Sequence, residues 1–401
     1  HAEAAGKSEF VMRVRPGGEY RFNFLQYASR RPGAEIGLAE NLADLIATLG
    51  SVDGNGESKR TSDAYWDQAL KQLVRNVVSV LHIAEGEITL DSLMGVIATL
   101  PEDPEHATEI EWQQRTNAGR MFQKLRSLEL DARQERTVRV GAEFLLQEFP
   151  ALDPRTRSSI VSTLTTLLDP FRHGEAHELF CTDCTIVPEA CRLGAIVIMD
   201  LDLKTYGAFG RLGQVLFKWF VQQSVERDKI DAKTRGMFIY ADEAQEFLTA
   251  QDKRFQATAR SARVATVYLT QNLPALQARL GSEAEVNGLL GNLQTKIFCQ
   301  NADPSTNKYA EQLFGDQDRF NVSINSNTNQ GGGQPNQPSG NQGFGLNQAR
   351  EPLVRAELFS QLAKGGPEND FAVEAFVFRG GKPWKASRSP LMLTVFDQRF
   401  G

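Results

Sequence analysis

The chain has few cysteines, no long apolar run and no excess of positive charge. Four cysteines in 401 residues are too few for a disulfide framework and are typical of a reducing compartment. No apolar run approaches the roughly 20 residues that a membrane helix needs, and the candidate at residues 195–199 ends at Asp200. Lys and Arg total 44 against 50 Asp and Glu, so contact with nucleic acid requires a local basic patch.

The remaining composition is that of a folded chain with more than one domain. Hydrophobic residues make up 41% and charged residues 23%, which excludes a chain that is disordered throughout. The length suggests two or three domains. The chain opens with His1 and shows no signal-peptide pattern, so we expect the parent protein to begin upstream.

The chain changes character twice. Residues 63 to about 170 carry apolar side chains at helical spacing without strand-like alternation, which predicts an all-α domain. From residue 195, short apolar runs alternate with helical stretches, which predicts an α/β fold: a mostly parallel sheet with helices on both faces. The last run in this series is 296–300. Residues 325–348, rich in Asn, Gln and Gly, are predicted to form a mobile loop, and 371–378 and 391–396 two further strands.

An acidic pair follows one of the predicted strands. The apolar run 237–241 leads directly into Asp242 and Glu243. Nucleoside triphosphatases present a Walker B pair in this way: the first carboxylate orients magnesium or its water, and the second polarises the attacking water. Two solvated acids at a strand end would give the same pattern.

A second polar residue follows the next strand. The apolar run 264–269 ends close to Gln271. Parallel neighbouring strands would place this amide in the same crevice as Asp242 and Glu243, where it could sense the γ-phosphate or hold the water. A glutamine at a strand end can equally be a helix cap or a loop residue.

Three motifs in this order resemble the core of the type IV secretion coupling proteins, which are conjugative DNA-transfer ATPases of the FtsK/HerA-like superfamily. They are residues 242–245 (DEAQ), 260–263 (RSAR) and 268–272 (YLTQN). Residues 18–25 and 290–296 resemble two further segments of these proteins, and a similar all-α domain interrupts their nucleotide-binding domain.

The resemblance implies a RecA-like motor that uses ATP and Mg²⁺ and works as a homo-oligomer, a hexamer when complete. It assigns residues 1–62 to the early part of the nucleotide-binding domain, 63–185 to the inserted all-α domain and 186–401 to the remainder. Implied partners are DNA, relaxase-type protein substrates and secretion channel proteins, at the cytoplasmic face of the bacterial inner membrane. Glu243 and Gln271 are the implied catalytic residues, and Asp242 is implied to hold magnesium through water.

The resemblance also implies an arginine finger. Arg260 lies eleven residues before Gln271, the spacing at which coupling proteins carry an arginine that reaches a neighbouring subunit's nucleotide. We place Arg260 and Arg263 on the helix that leads into the Gln271 strand, with Arg260 near the ligand edge of the sheet. Both arginines could also simply form a solvated helix face.

One expected element is missing. A Walker A loop follows a strand and opens a helix, whereas the single candidate, residues 5–8 (AGKS), precedes a predicted strand and has His1 where the first glycine should stand. We reject this candidate and expect the Walker A strand and the membrane anchor to lie before residue 1. The chain as given is then expected to bind ATP weakly or not at all.

A cysteine-histidine group invites a zinc interpretation that we do not adopt. Cys181 and Cys184 have metal-ligand spacing, with Cys191 and the pair His173 and His177 nearby. A second ligand pair is lacking, and Cys191 precedes a predicted buried strand, where cysteine packs as a small hydrophobe. We expect no zinc.

Three functions compete. The leading one is an ATP-driven motor subunit that couples DNA or DNA–protein substrates to a conjugation channel. The alternatives are a non-hydrolysing recruitment module that docks partners through its all-α domain, and a cytoplasmic FtsK/HerA-like defence or repair ATPase.

Overall fold

The computed structural model describes residues 5–31, 37–53, 61–328 and 340–400. Internal contacts divide the chain into two compact units, 1–270 with 276–289 and 271–275 with 290–401. The helices are α1 Phe24–Arg30, α2 Leu38–Asp53, α3 Thr61–Glu85, α4 Leu90–Ala98, α5 Ile110–Arg115, α6 Asn117–Arg126, α7 Ala132–Glu143, α8 Pro154–Leu168, α9 Gly174–Cys181, α10 Ala190–Leu193, α11 Leu203–Arg227, α12 Ala250–Thr258, α13 Leu273–Leu280, α14 Glu283–Asn292 and α15 Pro304–Phe314. The strands are β1 Val11–Val14, β2 Ile196–Met199, β3 Met237–Ala241, β4 Val264–Tyr268, β5 Thr295–Phe298, β6 Asp316–Thr328, β7 Gly340–Pro352, β8 Ala372–Arg379 and β9 Leu391–Asp397.

In the first unit, the described residues between β1 and β2 form helices and no strand. The apolar stripe that the spacing predicts on α3 is buried: Leu70, Leu73, Val74, Val77, Val78 and Leu81 are each at most 5% exposed. The predicted helix start at Asp153 is also observed, because the Asp153 carboxylate accepts from the N–H groups of Arg155 and Thr156. The proposed bounds at 63 and 185 remain predictions.

The same unit contains two parallel strand pairs. β1 pairs with β2, and β3 pairs with β4 in the register Met237–Val264 to Ala241–Tyr268. In the described residues these pairs form separate two-stranded sheets. One side of β3 is buried through Met237 and Ala241, whereas Phe238 and Tyr240 on the other side are 64% and 70% exposed.

The second unit corrects two expectations. The predicted strand at 296–300 is β5, which pairs antiparallel with β8, and β8 pairs antiparallel with β9. The tail strands are therefore confirmed. β5 does not extend a parallel sheet, because β8, the strand that pairs with it, runs in the opposite direction. None of the described helices is long and apolar enough to cross a membrane.

Where residues 325–348 are described, they form strands and not the predicted loop. Residues 325–328 and 340–348 belong to the antiparallel hairpin β6–β7, whose backbone ladder runs from Asp316–Pro352 to Thr328–Gly340. Backbone hydrogen bonds order a strand whatever its side chains, so low complexity did not prevent pairing. Residues 329–339 lie outside the described part of the chain.

A buried ion pair lies behind the β3–β4 pair. Asp252 on α12 is fully buried, and its Oδ2 accepts from Lys218 Nζ of α11 at 2.6 Å. The same oxygen accepts from the N–H of Thr249, while Oδ1 accepts from Gln222 Nε2 at 2.9 Å and the Tyr268 hydroxyl at 3.0 Å. This cluster, Lys218–Asp252 with Gln222, Thr249 and Tyr268, ties two helices to the end of β4.

Opposing effects set the ionisation of the pair. Burial by itself would raise the pKa of Asp252, but the charge and hydrogen bond of Lys218, with the bonds from Gln222 and Thr249, lower it below its usual range. Burial lowers the pKa of Lys218 against the attraction of Asp252. A carboxylate with a lowered folded pKa stabilises the fold above its unfolded pKa, and this stability is lost as the pH falls through the folded value.

Lys218→Met should strongly destabilise the protein, because it leaves the Asp252 carboxylate buried without its cation. The expected loss in free energy of unfolding is about 3–5 kcal/mol, measured by urea titration with circular dichroism. Lys253→Met is the matched control: Lys253 pairs with Glu285 on the surface, where both side chains are about 40% exposed, and should cost at most ~1 kcal/mol. Equal losses in the two variants would contradict the role given to the buried pair.

Candidate functional site

The acidic pair directly follows the carboxyl end of β3, where the backbone is hydrogen-bonded to the residue that follows β4. The N–H of Leu269 donates to the Ala241 carbonyl at 2.9 Å, and the N–H of Ala244 donates back to the Leu269 carbonyl at 2.7 Å. These two bonds fix the backbone on both sides of Asp242 and Glu243. Both acidic residues are exposed, so their carboxylates are accessible to a ligand.

Glu243 is held in an unusual backbone conformation. Its φ of 48° and ψ of 50° are in the left-handed region, which is unfavourable for a residue with a Cβ. The Glu243 N–H donates to Asp242 Oδ1 at 3.0 Å, and Gln245 Nε2 donates to Glu243 Oε2. Strained conformations of this kind persist where the surroundings fix them and are concentrated at functional sites.

Gln245 links the tips of the two strands. Besides donating to Glu243, its Oε1 accepts from the Thr270 hydroxyl at 2.8 Å. The position of the Glu243 carboxylate therefore depends on the residue that follows β4. Sequence reasoning included Gln245 in the family motif but gave it no role. The sequence did contain a signal for this role, because Gln245 comes three residues after Asp242 and the next predicted strand ends in polar residues.

Three cations hold the loop that follows the acidic pair. Lys218 Nζ donates to the Phe247 carbonyl at 2.7 Å, Arg279 Nε to the Leu248 carbonyl at 2.8 Å, and Arg211 Nη2 to Glu246 Oε2 at 2.7 Å. Burial and the positive charge of Arg211 lower the pKa of Arg279. Sequence reasoning missed these residues, although a lysine within the strongly apolar stretch 212–225 signals a buried partner.

Gln271 begins the second compact unit. Its backbone carbonyl accepts from Asn301 Nδ2 at 2.8 Å. It directly follows Thr270 in the chain, and its proximity to the acidic pair remains a prediction.

The structure corrects the position of Arg260. α12 ends at Thr258, so Arg260 and Arg263 lie in the turn after the helix rather than on it. Because β3 and β4 are parallel and β4 starts at Val264, Arg260 is at the amino ends of the strands. A five-residue strand is ~16 Å long, which separates Arg260 from the acidic pair at the opposite ends.

The two arginines of the motif differ in their contacts. Arg263 has a left-handed backbone with φ of 53°, and its Nη1 donates to the carbonyls of Thr234 at 2.8 Å and Ala232 at 3.2 Å. Arg260 is exposed, and its guanidinium makes no hydrogen bond or ion pair within the described residues. Arg263 therefore has a structural contact, whereas Arg260 is available to a partner.

The described residues of the rejected Walker A candidate, 5–8, do not open an α-helix. Gly6 lies in a turn, Ser8–Phe10 is a single 3₁₀ turn, and β1 follows. The segment thus precedes a strand instead of opening a helix, in agreement with its rejection.

The cysteines have separate local partners. Cys181 Sγ donates to the Phe171 carbonyl and Cys184 Sγ to the Asn23 carbonyl. Burial raises the pKa of Cys181 to about 12 and that of Cys191 to about 11, which disfavours the thiolates that bind metal. Among the described residues no three His, Cys, Asp or Glu side chains form a metal-binding group. The expectation of no zinc remains a prediction.

Comparison with known proteins gives one family match and a group of structural matches. Residues 237–364, which include β3, the acidic pair, Arg260 and Gln271, match the family described as the TraM recognition site of TraD and TraG. Comparison with curated protein sequences gives no significant match.

Several structural matches are to the conjugative coupling protein TrwB. The unbound bacterial TrwBdeltaN70 has a TM-score of 0.55 and 13% identity, over 97% of this chain and 74% of that chain. TrwB with ADP and Mg²⁺ has a TM-score of 0.54 and 13% identity, over 94% and 73%. TrwB with the ATP analogue ADPNP has a TM-score of 0.56 and 13% identity, over 96% and 73%. The predicted α/β, RecA-like fold with an all-α domain is thus confirmed, and so is the resemblance of this chain to the type IV secretion coupling-protein ATPases.

Proposed function

We propose that this chain is the motor subunit of a conjugative coupling protein, which uses ATP to move DNA or DNA–protein substrates toward a type IV secretion channel. The observation that carries the proposal is the acidic pair at the end of β3, with Glu243 in a strained conformation and bound by Gln245 to the tip of β4. Solved structures of similar fold contain ADP with Mg²⁺ or an ATP analogue, which supports ATP and Mg²⁺ as ligands here.

The residues of the tip fit this chemistry. Carboxylate oxygens are the protein ligands that magnesium prefers, and Asp242 offers an exposed carboxylate that would hold the ion through water. When bound, magnesium neutralises charge on the phosphates. Glu243 would accept the proton of the attacking water, and Gln271 would orient that water or sense the γ-phosphate. Lys218, Arg211 and Arg279 bind the loop that follows Glu243 and so help to position it. They take no part in proton transfer in this proposal.

The match to a TraM recognition site supports protein partners of the relaxosome type. We further propose DNA as the cargo, channel proteins as partners, a hexameric assembly and a place at the cytoplasmic face of the inner membrane. The family match favours this function over a defence or repair ATPase. The acidic pair at the end of β3, bound through Gln245 to the residue after β4, favours it over a recruitment module, which would need no such arrangement of carboxylates.

Glu243→Gln should abolish ATP hydrolysis in the native full-length protein while leaving nucleotide bound. The amide keeps the shape and the bond partners of the side chain but cannot accept a proton, and general bases contribute about 10²–10⁴ in rate. Steady-state phosphate release and binding of a fluorescent ATP analogue would measure the two effects separately.

Asp242→Asn is the companion variant, expected to weaken magnesium-dependent nucleotide binding. Glu175→Gln is the control, because it makes the same acid-to-amide change at an exposed residue of α9 that has no part in the acidic loop, and it should leave turnover near native. Near-native turnover of Glu243→Gln would overturn the Walker B assignment. An unmodified protein without hydrolysis would favour the recruitment module.

Arg260→Ala should stop hydrolysis without loosening ATP, because a finger at the amino ends of the strands can reach only the site of another subunit. An arginine finger contributes about 10³–10⁵ in rate. Mixing Arg260→Ala with Glu243→Gln subunits should restore part of the turnover, since some interfaces then combine an intact finger with an intact base.

Arg263→Ala controls for the loss of a neighbouring positive charge. It removes two bonds to backbone carbonyls and should lower stability more than turnover. If Arg260→Ala has normal turnover, or if mixed Arg260→Ala and Glu243→Gln subunits are no more active than either variant alone, Arg260 is not an arginine finger. It is then an ordinary solvent-exposed side chain.

A further inference from the structure

The connection between β8 and β9 is positively charged, although the chain as a whole is acidic. From residue 375 to residue 396 the sequence contains no Asp or Glu, and all four of its cations lie between residues 379 and 390. They are Arg379, Lys382, Lys385 and Arg388. We call residues 379–390 the basic loop. Since the whole chain carries a net charge of −6, this is a local positive patch on a negative molecule.

Internal bonds hold the basic loop in one shape. The N–H of Trp384 donates to the Ser389 carbonyl and the N–H of Arg388 to the Trp384 carbonyl, both at 2.8 Å. The indole N–H of Trp384 donates to the Pro390 carbonyl at 3.1 Å, and the Ser387 hydroxyl donates to the Leu391 carbonyl at 2.9 Å. Such a loop presents its side chains on a backbone that is already ordered, which lowers the entropic cost of binding.

Arg379 is part of this scaffold. Its guanidinium lies 4.2 Å from the centre of the Trp384 ring, and it donates to the carbonyls of Lys382 and Pro383 at 3.1 and 3.2 Å. One of the four cations is therefore used to shape the loop.

The other three cations face solvent. Lys382, Lys385 and Arg388 are exposed, and within the described residues their side chains have no acidic partner and no hydrogen bond. They lie within six residues of one another, a span of at most ~22 Å. One strand of duplex DNA carries about six phosphates over that length.

We propose that the basic loop binds the phosphodiester backbone of DNA through Lys382, Lys385 and Arg388. This proposal rests on the proposed function, in which DNA is the cargo. An anionic membrane is less suited to the loop, because its one large apolar side chain, Trp384, is half-buried and engaged with Arg379 and Pro390.

The contact should be indifferent to base sequence. The hydroxyl of Ser387 and that of Ser389, which accepts from the N–H of Leu391 at 3.1 Å, are engaged within the loop. Lysine and arginine side chains directed at phosphates position DNA but carry no base readout. A motor that moves along DNA requires this kind of contact.

The test is binding of fluorescein-labelled duplex DNA to the native full-length protein, by fluorescence anisotropy over a series of salt concentrations. The variant carries Lys382→Gln, Lys385→Gln and Arg388→Asn; asparagine is used because residue 388 has a φ of 53°. We expect a loss of roughly ten- to a hundredfold in affinity and a salt slope smaller by about one per lost contact, equally for unrelated sequences.

The control removes the same charge elsewhere. Lys229→Gln, Lys233→Gln and Arg254→Gln change three exposed cations of the first compact unit and should leave both affinity and slope within about twofold of native. Circular dichroism checks that both variants are folded.

The outcomes separate this proposal from the proposed function. If the native protein binds DNA and the basic-loop variant binds it equally well, the loop proposal fails and the function stands. If the native protein binds no DNA, both fail. If the variant keeps DNA affinity but loses binding to phosphatidylserine vesicles, the loop binds lipid and the DNA proposal is wrong.

Discussion

The candidate site depends on one buried carboxylate. Asp252 is surrounded by donors from α11, from the loop after the acidic pair and from the end of β4. Its cation, Lys218, also donates to the Phe247 carbonyl, so a single ion pair connects the helix behind the sheet with the loop that carries Glu243. Truncating either partner leaves a buried charge, which makes the arrangement intolerant of change. A strained glutamate needs such a rigid support.

The parallel pairing of β3 and β4 separates the charges that the proposed chemistry uses. Asp242 and Glu243 are fixed at the carboxyl ends, while Arg260 projects from the turn at the amino ends. No side-chain rotation spans the length of these strands, so one subunit cannot bring its arginine to its own acidic pair. If Arg260 acts on nucleotide at all, geometry requires that it act across an interface. The dependence of hydrolysis on subunit assembly would then follow from the parallel direction of β3 and β4.

Elements with a local signal could be predicted, and elements defined by distant pairing could not. The α3 stripe, the Asp153 cap and β3 leading into Asp242 are encoded by neighbouring residues, and each is observed. β5 looked like another parallel strand because an apolar run does not reveal its partner, which is β8. The hairpin β6–β7 was hidden for the same reason: its order comes from the backbone ladder, not from its polar side chains. The misplacement of Arg260 was avoidable, because a residue four positions before the first residue of β4 must lie at the amino end of that strand.

The cations next to the acidic loop are poorly placed to attract phosphate, because their side chains already have partners. Lys218 is shared between Asp252 and the Phe247 carbonyl, Arg211 binds Glu246, and Arg279 binds the Leu248 carbonyl. Each already has a partner on the loop it supports, and releasing it to bind phosphate would loosen Glu243. In the described residues, this region therefore favours positioning over anion attraction. By contrast, the side chains of Lys382, Lys385 and Arg388 in the basic loop have no partner among the described residues. Among the described residues, the cations beside the acidic loop are therefore engaged, whereas these three side chains remain available to a ligand.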